Sequence, residues 1–278
     1  MPFVRINGFE MHYRVSGEGW PMVMAHGLMG SIAMMDELGE GPDILVSRGF
    51  RVINYDARGH GRSGFTKDTG HYSWFSLARD MHALLRHLGI ERAHIGGGSM
   101  GAGTSLVLAL EHPEMVERLV LIAPPPMGER MEPVSQMFGA FATLIESAGL
   151  ERAVEVAMEL PQWAPLRESD PQRYEWMCGW LLSQNAESIV YAIRGLLQGP
   201  RLPEERFAEI RAPALIIAHP DDDIHPLASA QWLHETLGGS RLVVAPSMLY
   251  FEEHPDEMMR IIGDFLSEET PSGKATPP

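Results

Sequence analysis

The 278-residue sequence contains a single cysteine, Cys178, so no disulfide can form within the chain. Basic residues are also few, with 22 Lys and Arg against 37 Asp and Glu and a formal net charge of −15. Nucleic acids and anionic membranes attract clustered Lys and Arg, so neither is an expected partner. No apolar run reaches the ~18 residues that a membrane-spanning helix requires, and the first residues lack the pattern of a signal peptide. These absences predict a cytoplasmic protein; they do not indicate an oligomeric state.

Strands alternate with helices over the first 122 residues. Asn7-Gly8 predicts a tight turn between two short strands, and helices are expected over Met34–Ser47 and Ser73–Leu88. This alternation predicts an α/β fold with a mainly parallel sheet covered by helices on both faces.

The pattern changes after residue 125. Residues 126–205 are rich in Met, Trp, Leu and Phe and contain four predicted helices, at 134–148, 150–160, 170–183 and 186–198. We interpret this stretch as a helical lid, inserted between a first part of the core domain (1–125) and a second part (206–268). The polar, Pro-rich end, 269–278, is expected to be disordered.

Gly97-Gly98-Ser99-Met100-Gly101 fits the G-x-S-x-G nucleophile elbow and lies between a predicted strand and a predicted helix. A sharp strand-to-helix turn brings backbone segments too close for Cβ atoms, which explains the small residues. The turn would leave the Ser99 hydroxyl exposed as a nucleophile.

Two further loops follow predicted strands. In the loop His26–Ser31, the Leu28 N–H can face the serine and, with the Met100 N–H, form an oxyanion hole. His26 itself is expected to be a structural residue of this loop. In the turn Asp56–Ser63, Asp56 and Arg58 are expected to pair and cap backbone groups.

With these three motifs, the sequence resembles the α/β-hydrolase superfamily, in the branch with a helical lid after strand six. The HG-x-x-GS loop, the D-x-RG-x-G-x-S turn and the serine elbow occur in the family's order, and the resemblance covers residues 3–266. It implies an eight-stranded, mainly parallel sheet. It also implies an acid after strand seven, which Pro226 places at Asp222, with Asp221 and Asp223 as the alternatives if the loop shifts.

The resemblance also implies a histidine after the last strand, and this histidine is missing. Glu253-His254-Pro255 fits the family's Glu-x-Pro, and counting back places Met248 at the histidine position. A thioether cannot accept a proton near neutral pH, so Met248 cannot act as a general base. The substitutes are His254, the nearest in sequence, then His225, three residues after Asp222, and His219, expected at the strand end close to the acid.

Three functions remain open for such a degenerate triad. The first is hydrolysis of an ester, thioester or lactone through Ser99, with a displaced histidine or a water held by Asp222. The second is a non-hydrolytic enzyme, such as a cyclase or lyase, which would use the oxyanion hole to stabilise developing charge. The third is a catalytically silent binding protein. Hydrolysis of an ester-type bond is our preferred interpretation.

The predicted lid carries apolar side chains that either line a cavity over Ser99 or pack the lid onto itself: Met137, Phe138, Phe141, Leu144, Trp163, Trp176, Met177, Trp180, Leu181 and Tyr191. We take Met137, Phe141, Trp163, Trp176 and Trp180 as substrate-binding. If they line the cavity, the partner is an apolar or aromatic small molecule. No dinucleotide fingerprint is present, and neither a cofactor nor a metal is expected.

Overall fold

The computed structural model describes residues 2–127, 130–247 and 249–268; Met248 and the predicted tail 269–278 lie outside this range. The strands are β1 (Phe3–Ile6), β2 (Phe9–Ser16), β3 (Trp20–Ala25), β4 (Phe50–Tyr55), β5 (Ala93–Gly98), β6 (Val116–Ile122), β7 (Ala214–Ala218) and β8 (Arg241–Val244). The helices of the core are α1 (Ile32–Glu37), α2 (Asp43–Ser47), α3 (Trp74–His87), α4 (Met100–Glu111), α10 (Leu227–Thr236), α11 (Tyr250–Glu253) and α12 (Pro255–Ser267). Between β6 and β7 lie α5 (Met131–Ala148), α6 (Leu150–Met158), α7 (Ala164–Ser169), α8 (Pro171–Leu182) and α9 (Ala186–Gln198).

The strands form one sheet in the order β1-β2-β4-β3-β5-β6-β7-β8. The first two pair antiparallel around Asn7 and Gly8, whose φ angles of 44° and 86° are both positive, and β2 runs antiparallel to β4. All remaining neighbours are parallel. The predicted eight-stranded, mainly parallel sheet is confirmed. Because parallel strands end at the same edge, the loops after β3, β5 and β7 converge there.

The sheet separates two apolar cores. In β3, Val23 packs into a core shared with α3, α4 and α10, whereas Met22 and Met24 pack into a second core shared with α2 and α12. Val23 and Met22 are fully buried. Each such side chain stabilises the fold by ~1.5–3 kcal/mol. Helices therefore cover both faces, as the alternation of strands and helices predicts.

Residues 131–198, which we call the α5–α9 segment, have small cores of their own. Ala142 on α5, Ala153 on α6 and Ile189 on α9 are buried together, and Leu28 and Met29 of the loop after β3 pack against them. The segment therefore rests on the loop that follows β3. The four predicted helices correspond to α5, α6, α8 and α9, and α7 is an additional short helix. The lid boundaries at 126 and 205 stay predictions.

The helix predicted over Met34–Ser47 is wrong, because two short helices, α1 and α2, occupy this stretch. Gly39 adopts a φ of 73°, and a Cβ there would lie 2.7 Å from the Pro255 ring. Pro42 lacks the N–H that would continue a helix. The chain therefore reverses locally between α1 and α2.

The expected pairing of Asp56 with Arg58 is also wrong. Arg58 donates Nε and NH2 to the two carboxylate oxygens of Asp80, at 3.0 and 2.8 Å, and both side chains are buried. Asp56 instead accepts from the Ile32 and Arg62 amides at 2.7 and 2.8 Å. The pairing differs because Arg58 points towards α3, away from the turn that Asp56 caps.

No helix among the residues that the structure describes combines the length and apolar character needed to cross a membrane.

We expect Asp80→Ala to lower the free energy of unfolding by about 3–5 kcal/mol, because it leaves the buried Arg58 guanidinium unpaired. Asp264→Ala, which removes the partner of Arg48 in an exposed pair, is the control and should cost under ~1 kcal/mol. Urea-induced unfolding measures both. Equal losses in the two variants would contradict a structural role for the buried pair.

Candidate active site

Ser99 lies at the sharp turn between β5 and α4, with φ 48° and ψ −108°. A Cβ at Gly97 or at Gly101 would lie 2.3 Å from the Ala25 carbonyl oxygen, so both positions require glycine. Positive φ is unfavourable for a residue with a side chain and persists only where the surrounding structure imposes it. The elbow therefore holds Ser99 at the carboxyl edge of the sheet, where it lines two cavities.

A histidine lies against this serine. His225 Nε2 is 2.8 Å from Ser99 Oγ, and His225 Nδ1 is 2.8 Å from Asp222 Oδ2. Asp222 and His225 lie on the loop between β7 and α10, which meets the elbow at the edge of the sheet. The structure thus joins a hydroxyl, an imidazole and a carboxylate in one chain of hydrogen bonds. Of the substitutes predicted for the missing histidine, His225 is the one that lies against Ser99.

The loop between β7 and α10 is organised by the Asp222 carboxylate. Its Oδ1 accepts from the Ile224 amide at 2.8 Å and the His225 amide at 3.0 Å. Burial raises the pKa of this carboxyl, but hydrogen bonds and charge from His225, with a contribution from His219, outweigh burial and lower the pKa to about 2. Asp222 is therefore ionised near neutral pH and accepts from the Nδ1–H of His225. That bond leaves Nε2 free to accept from the serine.

The peptide that carries the Leu28 N–H is held beside the elbow by two hydrogen bonds to its carbonyl. The Gly27 carbonyl accepts from His26 Nδ1–H at 2.7 Å and from the Gly30 amide at 2.9 Å. This carbonyl belongs to the same peptide as the Leu28 N–H, so the N–H points the opposite way. A Cβ on Gly27 would lie 3.4 Å from the Ser99 Cβ, which places the peptide beside the elbow. Within the described part of the chain, neither the Leu28 nor the Met100 amide is engaged by a backbone or side-chain acceptor.

His26 is a structural residue of this loop, as the sequence predicts. Its Nε2 accepts from the Ala57 amide at 2.9 Å, while Nδ1–H donates to Gly27. Burial lowers the pKa of His26, with smaller opposing effects from Gly27 and Asp56. The ring is therefore neutral and fixed in one tautomer, and it ties the loop after β3 to the loop after β4.

Two apolar cavities meet at Ser99, with volumes of about 300 and 50 Å³. Both are lined by Leu28, Phe138, Ile224 and His225. The larger extends under the α5–α9 segment and is also lined by Met29, Met34, Met137, Phe141, Ala157, Met158, Leu160, Trp163, Met177, Trp180 and Leu181. None of the described lining residues of either cavity is Asp, Glu, Lys or Arg. The space around the serine is therefore apolar and uncharged.

Four of the five side chains predicted to bind substrate line the larger cavity: Met137, Phe141, Trp163 and Trp180. The prediction that Trp176 binds substrate is wrong. It stacks on Trp180, with ring centroids 6.2 Å apart and an interplanar angle of 18°, and does not line either cavity. It packs with the α6–α8 core instead.

Of the candidate bases, the structure brings only His225 to the serine. His254 is exposed between α11 and α12, and its ring packs on Tyr250 at 4.8 Å. Met248 lies outside the described residues. Asp221 and Asp223, the alternative acids, are both exposed, and Asp221 adopts a φ of 60°. Of the three neighbouring aspartates, Asp222 is therefore the one whose carboxylate contacts His225.

The spacing Asp222-x-x-His225 contains a signal that sequence reasoning underused. An Asp side chain commonly accepts from amides two and three residues later, and this turn brings the third side chain back over the carboxylate. Pro226 then starts α10 and fixes the exit of the loop. Only the position of β7 beside β6, and of the elbow beyond it, decides that the imidazole reaches Ser99.

Comparison with known proteins agrees with this architecture. The model of the family described as "alpha/beta hydrolase fold" matches residues 21–144. RutD of Caulobacter sp. (strain K31), provisionally named a carbamate hydrolase, is 30% identical over 217 residues, covering 73% of this chain and 74% of that protein. The chain belongs to the alpha/beta hydrolase family.

Two further relatives resemble nearly the whole chain. The 2-hydroxy-6-oxo-6-phenylhexa-2,4-dienoate hydrolase of Comamonas testosteroni is 26% identical over 275 residues, covering 95% of this chain and 93% of the relative. The crystal structure of the enol-lactonase from Burkholderia xenovorans LB400 superposes with a TM-score of 0.83 at 25% identity, covering 96% of this chain and all of that one. The similarity therefore extends through the α5–α9 segment.

The low pKa of Asp222 predicts a stability that depends on pH. The pKa of Asp222 in the folded protein, about 2, lies below the ordinary value of 3.8. The ionised carboxylate therefore stabilises the fold at pH values above 3.8. This contribution, on the order of 2 kcal/mol in full, is lost as the pH falls towards 2. We expect the difference in unfolding free energy between wild type and Asp222→Asn to shrink by about 1 kcal/mol from pH 5 to pH 3. Urea unfolding at both pH values measures this difference.

Asp221→Asn is the matched control, because Asn tolerates the positive φ and the Asp221 side chain is exposed. Its difference from wild type should not change between the two pH values. A constant difference for Asp222→Asn as well would mean that this carboxylate is not held ionised by its neighbours.

Proposed function

We propose that this protein hydrolyses carboxylic esters, thioesters or lactones of neutral apolar or aromatic small molecules through a complete triad of Ser99, His225 and Asp222. The observation that carries this proposal is the pair of 2.8 Å contacts from His225 to Ser99 and Asp222. These distances are those at which a base can remove the proton of a nucleophile while a carboxylate orients the base.

In the proposed reaction, Ser99 Oγ attacks the substrate carbonyl carbon while His225 Nε2 accepts the hydroxyl proton. The imidazolium that forms is stabilised by Asp222, which stays ionised. His225 then donates the proton to the leaving oxygen or sulfur, and an acyl group remains on Ser99. A water molecule, deprotonated by His225, attacks the acyl carbon, and the acid product leaves as the serine regains its proton.

The developing oxyanion would be held by the Leu28 and Met100 amides. Met100 is the first residue of α4, where backbone N–H groups lack partners within the helix and attract negative charge. Leu28 is aimed at the elbow by the bonds that fix the Gly27 carbonyl. Loss of one such donor typically costs 10²- to 10³-fold in turnover.

The base in this mechanism comes from the same turn as the acid. Asp222 accepts from both the amide and the ring of His225, so acid and base form one unit before α10. A histidine at position 248, beyond β8, is then not needed as the base. The non-hydrolytic and silent-binding alternatives depended on the missing base, and His225 removes that reason for them.

The cavities support the substrate class. Their lining is apolar and, among the described residues, free of charged side chains, so a neutral molecule would enter without leaving an unpaired charge in an apolar site. The enol-lactonase relative is named for an ester-type substrate. The dienoate in the name of the Comamonas relative carries a carboxylate, for which the described lining residues of the two cavities offer no Lys or Arg partner. We infer that the α5–α9 segment is a lid that shields the reaction from water.

The triad is tested by Ser99→Ala, His225→Ala and Asp222→Asn on a p-nitrophenyl ester of a short fatty acid. We expect losses in kcat on the order of 10⁶-fold for Ser99 and His225, and about 10⁴-fold for Asp222. A fluorophosphonate should label wild type at Ser99 and fail to label Ser99→Ala, as mass spectrometry of the labelled peptide would show.

His254→Ala is the control and should hydrolyse the ester like wild type. Met248→His should not raise the rate, because the base is already present. An inert wild type, or a His225→Ala variant with wild-type turnover, would falsify the proposed triad.

The substrate class is tested with phenyl hexanoate and monophenyl adipate, which share a six-carbon acyl chain and differ by a terminal carboxylate. We expect kcat/KM to be at least 100-fold lower for the adipate, because burying an unpaired carboxylate costs several kcal/mol. Equal values for the two esters would mean that the chain end does not enter the apolar cavities.

A further inference from the structure

We propose that Trp180 is a positioning residue of this site, whose indole N–H holds the loop that carries the Leu28 amide. The inference rests on the proposed hydrolytic function and assigns a role to a side chain of α8 in it. Trp180 would act through the loop after β3 and would not need to touch the reacting atoms.

The indole reaches this loop directly. Trp180 Nε1 donates to the Met29 carbonyl oxygen at 2.9 Å, across 151 positions of the chain. This bond runs from α8 of the α5–α9 segment to the loop His26–Ser31. It adds a directional contact between the segment and this loop to the apolar packing of Leu28 and Met29.

The residue that accepts this bond has an unfavourable backbone conformation. Met29 has a φ of 61°, and it is the third residue of a turn closed by the Gly30 amide on the Gly27 carbonyl at 2.9 Å. Positive φ at the third position of such a turn favours glycine, so a methionine there needs support from outside the turn. A hydrogen bond worth about tenfold in an equilibrium is of the size needed to hold it.

This turn contains the proposed oxyanion donor. The Leu28 N–H lies between two fixed points, because His26 holds the Gly27 carbonyl before it and Trp180 holds the Met29 carbonyl after it. Releasing the second point would let Met29 relax towards negative φ and rotate the peptides on either side. The Leu28 N–H would then lose its aim at the position where the oxyanion forms, which costs transition-state stabilisation.

The ring of Trp180 also forms a wall. On one side lies the apolar cavity over Ser99, and on the other lies a polar groove of about 490 Å³ between α8 and the Asp56–Ser63 turn. Substitution by phenylalanine removes the donor and keeps a smaller aromatic ring in the wall. That substitution separates the hydrogen bond from the role of the ring in lining the cavity.

The test compares Trp180→Phe with wild type on the p-nitrophenyl ester. We expect kcat to fall about tenfold with KM within twofold, because the lost bond acts on the transition state and not on substrate binding. A trifluoromethyl alkyl ketone, whose adduct with Ser99 carries an oxyanion, should bind about tenfold more weakly. The corresponding secondary alcohol, which forms no adduct, should bind as it does to wild type.

Trp176→Phe is the matched control, since Trp176 is on the same helix, stacks on Trp180 and lines neither cavity. It should hydrolyse the ester and bind the ketone like wild type. Unchanged kcat in Trp180→Phe, or equal weakening of ketone and alcohol, would overturn the assignment and leave Trp180 as a wall only. If Ser99→Ala keeps wild-type turnover, the proposed hydrolytic function is wrong. If the triad variants lose activity as proposed and Trp180→Phe does not behave as expected, only the role assigned to Trp180 is wrong.

Discussion

The site depends on one close approach between backbone segments. The Ala25 carbonyl at the end of β3 lies so near the elbow that a Cβ on Gly97 or Gly101 would come within 2.3 Å of it. This contact fixes Ser99 in a conformation with positive φ. It also places the residue after Ala25 beside the serine, so the loop that carries the Leu28 amide begins at the elbow. The proposed nucleophile and the proposed oxyanion donor are thus positioned by the same contact.

The position of the base shows what such an edge allows. Several loops of a parallel sheet end at the same place, so an imidazole can reach the serine from more than one of them. Here the imidazole of His225 reaches Ser99 from the loop after β7, which also carries Asp222. A hydrogen-bonded turn holds Asp222 and His225 together, and only the neighbouring positions of β5, β6 and β7 bring that turn to Ser99. An imidazole can therefore lie against the serine although the residue at the family's histidine position after β8 is a methionine.

The α5–α9 segment gives the site its dielectric environment. It covers the serine with Met, Phe and Trp side chains, and charges interact more strongly in such an apolar space than in water. The same surroundings penalise any charged substrate group that lacks a partner. The segment rests on Leu28 and Met29, in the loop that carries the proposed oxyanion donor. The α5–α9 segment therefore packs directly against the loop that contributes to the proposed site.

The sequence by itself determined the features that depend on local patterns. Alternating strands and helices, the elbow around Ser99 and the turn at Asn7-Gly8 follow from spacing and glycine within a few residues. Asp222 was placed by the resemblance to the α/β-hydrolase superfamily, with Pro226 setting the register. Tertiary structure alone decided that His225 and not His254 reaches the serine, that Trp176 packs behind Trp180, and that Arg58 pairs with Asp80. The physical reason is that these contacts join segments distant along the chain. Their geometry is set by the order of strands in the sheet and by the packing of α8, which local spacing does not encode.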